Sequence, residues 1–121
     1  MKIRLIILIL SSLNLVAYAQ EPGQETYKMA CQNCHAPDLA KAIKAPAAFD
    51  KSAWNTRFQQ ASLEAKKDPA QYKSAIDYLL HSVRLGKGLM HHGGLCHEAD
   101  AGGENCSKED LINAIHYMSK Q

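Results

Sequence analysis

The pentapeptide Cys31-Gln32-Asn33-Cys34-His35 constrains the fold more than any other feature of this 121-residue chain. CxxCH is the attachment sequence of a c-type haem. Two thiols three positions apart on one helical turn each reach a vinyl group of a single porphyrin. The next residue points its imidazole at the iron. Met90, far downstream, offers a sulfur to the opposite face, and His/Met ligation raises a haem's potential and suits electron transfer. The reading is therefore one haem c, with Cys31 and Cys34 as thioether donors, His35 as one axial ligand and Met90 as the other. The competing reading, a CxxC redox disulfide beside an unrelated His, needs a βαβ pattern that the chain does not show.

The segment ahead of the motif reads as a cleavable leader. Lys2 and Arg4 form a basic start, an apolar stretch runs from Leu5 to Val16, and Ala17-Tyr18-Ala19 is an A-x-A cleavage signature. The apolar run falls short of the ~20 residues that a bilayer span requires. No cysteine sits at the cleavage site to carry a lipid, and there is no twin-arginine pair. Residues 1–19 are thus expected to be removed on export to the periplasm, leaving a single domain over residues 20–121. A chain of about a hundred residues buries little apolar core of its own, and a haem at its centre supplies that surface.

Charge and cysteine usage narrow the class further. Without Lys2 and Arg4, twelve basic residues balance twelve acidic ones, so no basic stripe argues for nucleic acid. Four cysteines in an exported chain divide evenly. Two go to the haem, and an oxidising compartment would join Cys96 to Cys106.

Periodicity indicates helices and loops only, an all-α chain of about four helices around the haem. A first helix is expected from about Gly23 to Cys34, with Gly23 and Tyr27 on the Cys31 face. Pro37 and Pro46 oppose regular helix between Ala36 and Asp50. Trp54, Phe58, Ala61 and Ala65 recur at helical spacing over about 52–65. A third helix opens at Asp68 with Pro69 in its first turn. Its apolar face is Tyr72, Ala75, Ile76, Leu79, Leu80 and Val83, and Gly86 caps its end. Residues 88–103 form a Gly- and His-rich loop carrying Met90. The last helix starts at Ser107, with Asp110 completing a variant capping box and Leu111, Ile115 and Met118 as its stripe.

Taken together, these features resemble the class I c-type cytochromes over essentially the whole mature chain. The resemblance implies the small cytochrome c fold. The first and last helices cross through a Gly and an aromatic residue, which Gly23 and Tyr27 match, with Ala114 and Tyr117 opposite. Within the class the chain looks most like the short bacterial cytochrome c5 family. Ala45-Pro46, Trp54-Asn55-Thr56-Arg57, Gly93-Gly94-Leu95-Cys96 and Tyr117-Met118 carry that likeness. Two departures stand out. The family's Met-Pro-Pro is Met90-His91-His92 here, and residues 97–105 separate two cysteines that normally lie close together. The first makes the stiffness of the methionine arm an open question, with His91 and His92 as alternative ligands and a His/His haem of lower potential as the consequence.

The resemblance also implies roles for residues around the ring. The Pro46 carbonyl would accept the proximal imidazole N–H, with Pro37 as a competitor for that part. The Trp54 indole N–H and the Arg57 guanidinium would contact the propionates. A zinc or copper site from His91, His92, Cys96, His97 and Cys106 is a further reading, although its spacing fits no standard template. The expected function is a non-enzymatic electron carrier that docks transiently on periplasmic or inner-membrane redox complexes, without stable membrane insertion. No sequence feature sets an oligomeric state. Two other classes stand beside it: a haem enzyme or gas or peroxide sensor with a labile sixth ligand, and a subunit of a larger respiratory complex.

Overall fold

The computed structural model describes residues 19–90, 94–96 and 106–120. Apart from Ala19, the expected leader lies outside the described residues. So do His91, His92 and His97. Among the described residues the regular structure is helical, with a single isolated bridge between Lys87 and Met90, and no helix is long and apolar enough to cross a membrane.

Helix α1 occupies residues 24–35. It is α-helical over Gln24–Thr26, passes through a π-helical turn at Tyr27–Cys31 and closes as α-helix over Gln32–His35. Helix α2, Pro37–Ile43, replaces the loop expected there. Pro37 opposes helix only in an interior; at the first position its missing N–H has no partner to lose and its fixed φ suits the turn. Lys44, at φ 58°, ends α2 in the left-handed region.

Helix α3, Lys51–Lys67, starts at Asp50, whose carboxylate accepts the Ala53 N–H at 3.0 Å. The start expected at Asp68 is displaced. Asp68 accepts the Gln71 and Tyr72 N–H groups and so closes one isolated turn. Helix α4, Ala75–Leu85, begins instead where the Ser74 hydroxyl accepts the Asp77 N–H. Gly86, at φ 77°, terminates it as expected. Helix α5, Lys108–Ser119, carries the capping box read from Ser107 and Asp110, with both reciprocal hydrogen bonds formed.

The core is where α1 crosses α5 and where the α3–α4 pair packs on them. Leu111, Ala114, Ile115 and Met118 of α5 are buried against Tyr27 and Ala30 of α1, with Trp54, Ala61, Leu79 and Leu80 completing the cluster. Each large aliphatic side chain buried there contributes about 1.5–3 kcal/mol. The crossing itself is backbone against backbone. A Cβ on Gly23 would lie 2.1 Å from the Asn113 carbonyl oxygen, and Gly23 also sits at φ 84°. Both conditions demand glycine. One turn on, the Tyr27 and Tyr117 rings meet with centroids 5.3 Å apart, the opposition that the resemblance implied.

Gly23→Ala is expected to lower stability by about 2 kcal/mol or more, combining a clash with a disfavoured φ. That corresponds to a fall in Tm of roughly 10 °C. Ser107→Ala removes one cap and should cost about 1 kcal/mol, or roughly 4–8 °C. Thermal unfolding followed by circular dichroism checks both, and a Gly23→Ala protein as stable as wild type would refute the crossing.

Candidate functional site

The π-turn at Tyr27–Cys31 sets the geometry of the motif. A π-turn absorbs one extra residue, so side chains after it are rotated about the helix axis relative to those before. Tyr27 meets Tyr117 of α5, while Cys31, Cys34 and His35 line one cavity with Ala30, Met90, Gly94 and Leu95. Neither Cys31 nor Cys34 is in a disulfide. Burial, and secondarily the neighbouring Cys34, push the Cys31 thiol up to about 12, so it remains a neutral S–H in this setting.

His35 is buried, and its Nδ1–H donates to the Pro46 carbonyl at 2.7 Å. That assigns the proton to Nδ1 and leaves Nε2 as the unprotonated donor. Pro37, the competitor, is at the start of α2 instead. Burial lowers the His35 pKa below its ordinary value; the Pro46 hydrogen bond opposes that shift and the Arg57 charge adds to it. The imidazole is therefore held neutral, the form that binds a metal.

Four consecutive residues behind His35 each make a hydrogen bond, and together they reach His35 twice, Trp54 and Met118. Pro46 O accepts from His35 Nδ1. Ala47 O accepts the Trp54 indole N–H at 2.8 Å. Ala48 N–H donates to the His35 carbonyl at 2.7 Å, and Phe49 N–H to the Met118 carbonyl at 2.7 Å. The indole N–H expected at the propionates is thus engaged by Ala47. Trp54 instead supports the loop and stacks near the His35 ring, with centroids 6.1 Å apart. Arg57 lines a separate cleft with Lys44, Pro46, Asp50, Thr56 and Gln60.

The methionine arm is stiffened without prolines. Lys87 and Met90 exchange both backbone hydrogen bonds, at 3.1 and 3.0 Å, across a two-residue turn with Gly88 at φ 60°. Beyond the arm, Leu95 N–H donates to the Ala30 carbonyl at 2.9 Å. Gly94 permits that approach, since a Cβ there would lie 2.7 Å from the same oxygen. Cys96, 2% exposed, is joined to Cys106 ahead of α5. The disulfide removes two thiolates from the zinc or copper reading, and no cluster of three or more His, Cys, Asp or Glu disposed to hold a metal ion occurs among the described residues.

Sequence reasoning missed Ala48, Phe49 and Leu95. All three act through backbone N–H groups, which leave no mark in side-chain identity. Phe49 had one usable signal, a lone aromatic shortly after Pro46 in the stretch that follows the motif.

The donor set fits a c-type haem: two unpaired thiols, an imidazole with its outer nitrogen fixed by a carbonyl, and a thioether, all around one largely apolar cavity. The comparison with known families agrees. A family model described as cytochrome c oxidase, cbb3-type, subunit III, matches residues 19–118. No curated protein matches the chain.

The depressed His35 pKa has a defined linkage. The unfolded chain takes up its proton near the ordinary 6.5 and the folded one only below that. This contribution to stability is complete above pH 6.5 and declines as pH falls toward the folded value. Guanidinium unfolding midpoints of the haem-free protein, in which the imidazole is free to titrate, should accordingly hold level from pH 8 to 7 and drop from about 6.5 downward. A midpoint that rises on acidification would contradict it.

Proposed function

The chain belongs to the family described as cytochrome c oxidase, cbb3-type, subunit III, and from that premise we propose a periplasmic electron carrier with one haem c, ligated by His35 and Met90. That it is a haem-containing electron-transfer protein of the class I cytochrome c type follows from the family. The observation that carries the finer reading is the convergence of Cys31, Cys34, His35 and Met90 on one cavity, although Met90 lies 55 residues beyond His35 in the chain.

The haem, when bound, supplies a one-electron iron couple. The protein's residues do the rest. Cys31 and Cys34 hold the ring through thioethers. The Pro46 carbonyl orients the His35 imidazole and raises its basicity. The Lys87–Met90 turn would present the methionine sulfur from a backbone held by two hydrogen bonds. With His35 and Met90 both given to the iron, the chain's residues would bind and orient the group rather than act on a substrate.

Export and subfamily are part of the same proposal. The basic start, apolar run and A-x-A signature support cleavage after Ala19. Trp54-Asn55-Thr56-Arg57, Gly94-Leu95-Cys96, Tyr117-Met118 and the Cys96–Cys106 bond support a cytochrome c5-like member. The family's description, an oxidase subunit, favours a second reading: a subunit bound to a membrane oxidase. Osmotic-shock fractionation separates the two, because a carrier leaves with the periplasmic fraction and a subunit stays with the membranes.

Absorption spectra of wild type and Met90→Ala test the ligand set. Wild type should show the weak far-red sulfur-to-iron band and resist carbon monoxide. Met90→Ala should lose the band and take up carbon monoxide readily. A low-spin spectrum lacking the band in both proteins would assign the sixth position to a histidine. A high-spin wild type would favour the sensor or enzyme class.

A further inference from the structure

Phe49 is the residue in this fold whose conformation its own chemistry least explains. It sits at φ 68°, a region that bulky L-residues avoid, and the residue is 47% exposed. Burial is therefore a weak reason for an aromatic residue there. Its surroundings supply a better one. The Phe49 ring stands edge-on to Tyr27 of α1, with centroids 6.1 Å apart, and edge-on to Tyr117 of α5 at 5.3 Å. Both geometries are preferred aromatic pairings. The Lys120 ammonium lies 4.1 Å from the Tyr117 ring centroid and 5.5 Å from that of Phe49, adding cation–π attraction. Lys120 also pairs with Glu21, just ahead of α1.

The left-handed turn lets adjacent residues reach different elements. Phe49 gives its N–H to the Met118 carbonyl while Ala48 gives its own to the His35 carbonyl. Three residues before Phe49, Pro46 O receives the His35 Nδ1–H. The ring of Phe49 is thus clamped at the helix crossing, and the carbonyl that orients the proximal imidazole hangs on the same short tether.

Resting on the haem reading above, we infer that Phe49 is a positioning residue for the axial ligand: clamped against Tyr27 and Tyr117, it holds the Pro46 carbonyl on His35 Nδ1–H. The hydrogen bond makes the imidazole a stronger donor, which favours ferric iron. Releasing the clamp weakens that donation and raises the reduction potential.

Phe49→Gly is the decisive variant in haem-loaded mature protein, because glycine removes the φ penalty along with the ring. Phe49→Ala and Phe49→Tyr accompany it. Three quantities are read: midpoint potential, NMR exchange rate of the His35 ring N–H, and Tm. The expected result is faster ring N–H exchange and a more positive potential in Phe49→Gly and Phe49→Ala, with the far-red sulfur band retained. Phe49→Tyr should behave as wild type. Potential and ring exchange unchanged in Phe49→Gly, with only Tm altered, would show a structural residue and overturn the inference. A wild-type protein lacking a low-spin haem spectrum would overturn the underlying reading and the inference with it, an outcome visible before any variant is made.

Discussion

Everything that shapes the site hangs on the contact between Gly23 and the backbone of Asn113 and Ala114. It lets α1 and α5 approach more closely than any side chain would permit. The site is then assembled from segments referred to those two helices. The haem motif ends α1. The distal side is tied to α1 by the Leu95–Ala30 hydrogen bond and leads to α5 through Cys96–Cys106. The proximal loop is held to α1 at His35 and to α5 at Met118. A shift of one helix on the other moves both faces of the cavity together.

The two faces are secured by different forces. On the distal side a disulfide closing a short loop contributes roughly 2–3 kcal/mol in the chain-entropy model. The proximal loop has no covalent tie. Its four hydrogen bonds are worth about 1 kcal/mol each, and they act together because Pro46 to Phe49 are contiguous. Among the described residues no buried side-chain nitrogen or oxygen lacks a partner, so desolvated polar groups do not erode this margin. His35 enters the proximal set twice, through its ring nitrogen and through its carbonyl.

Much of this was legible in the sequence where a side chain announces its role. CxxCH, the Gly23–Tyr27 crossing, the Ser107–Asp110 box and the α5 stripe all carry chemistry or periodicity in their residue types. The misreadings have physical causes. Pro37 and Pro69 look alike in sequence, but only Pro37 begins a helix. Asp68 spends its carboxylate on a local turn, so the chain waits for Ser74 to cap α4. The Trp54 N–H, expected at a propionate, is given to the Ala47 carbonyl. The hydrogen bonds from Ala48, Phe49 and Leu95 depend on chain path alone. The absent prolines after Met90 suggested a loose arm, whereas the bracing comes ahead of the methionine, from the Gly88 turn.

The π-turn in α1 has a meaning in terms of phase. An α-helix advances about 100° per residue, and a π-turn stores one surplus residue. The residues that grip α5 and those that face the cavity therefore lie on two registers of one helix, offset by that surplus. Length and composition are nearly indifferent to a single residue between Thr26 and Cys31, but the angle between the crossing and the cavity is not. The helix behaves as a keyed shaft, and the key is one amino acid wide.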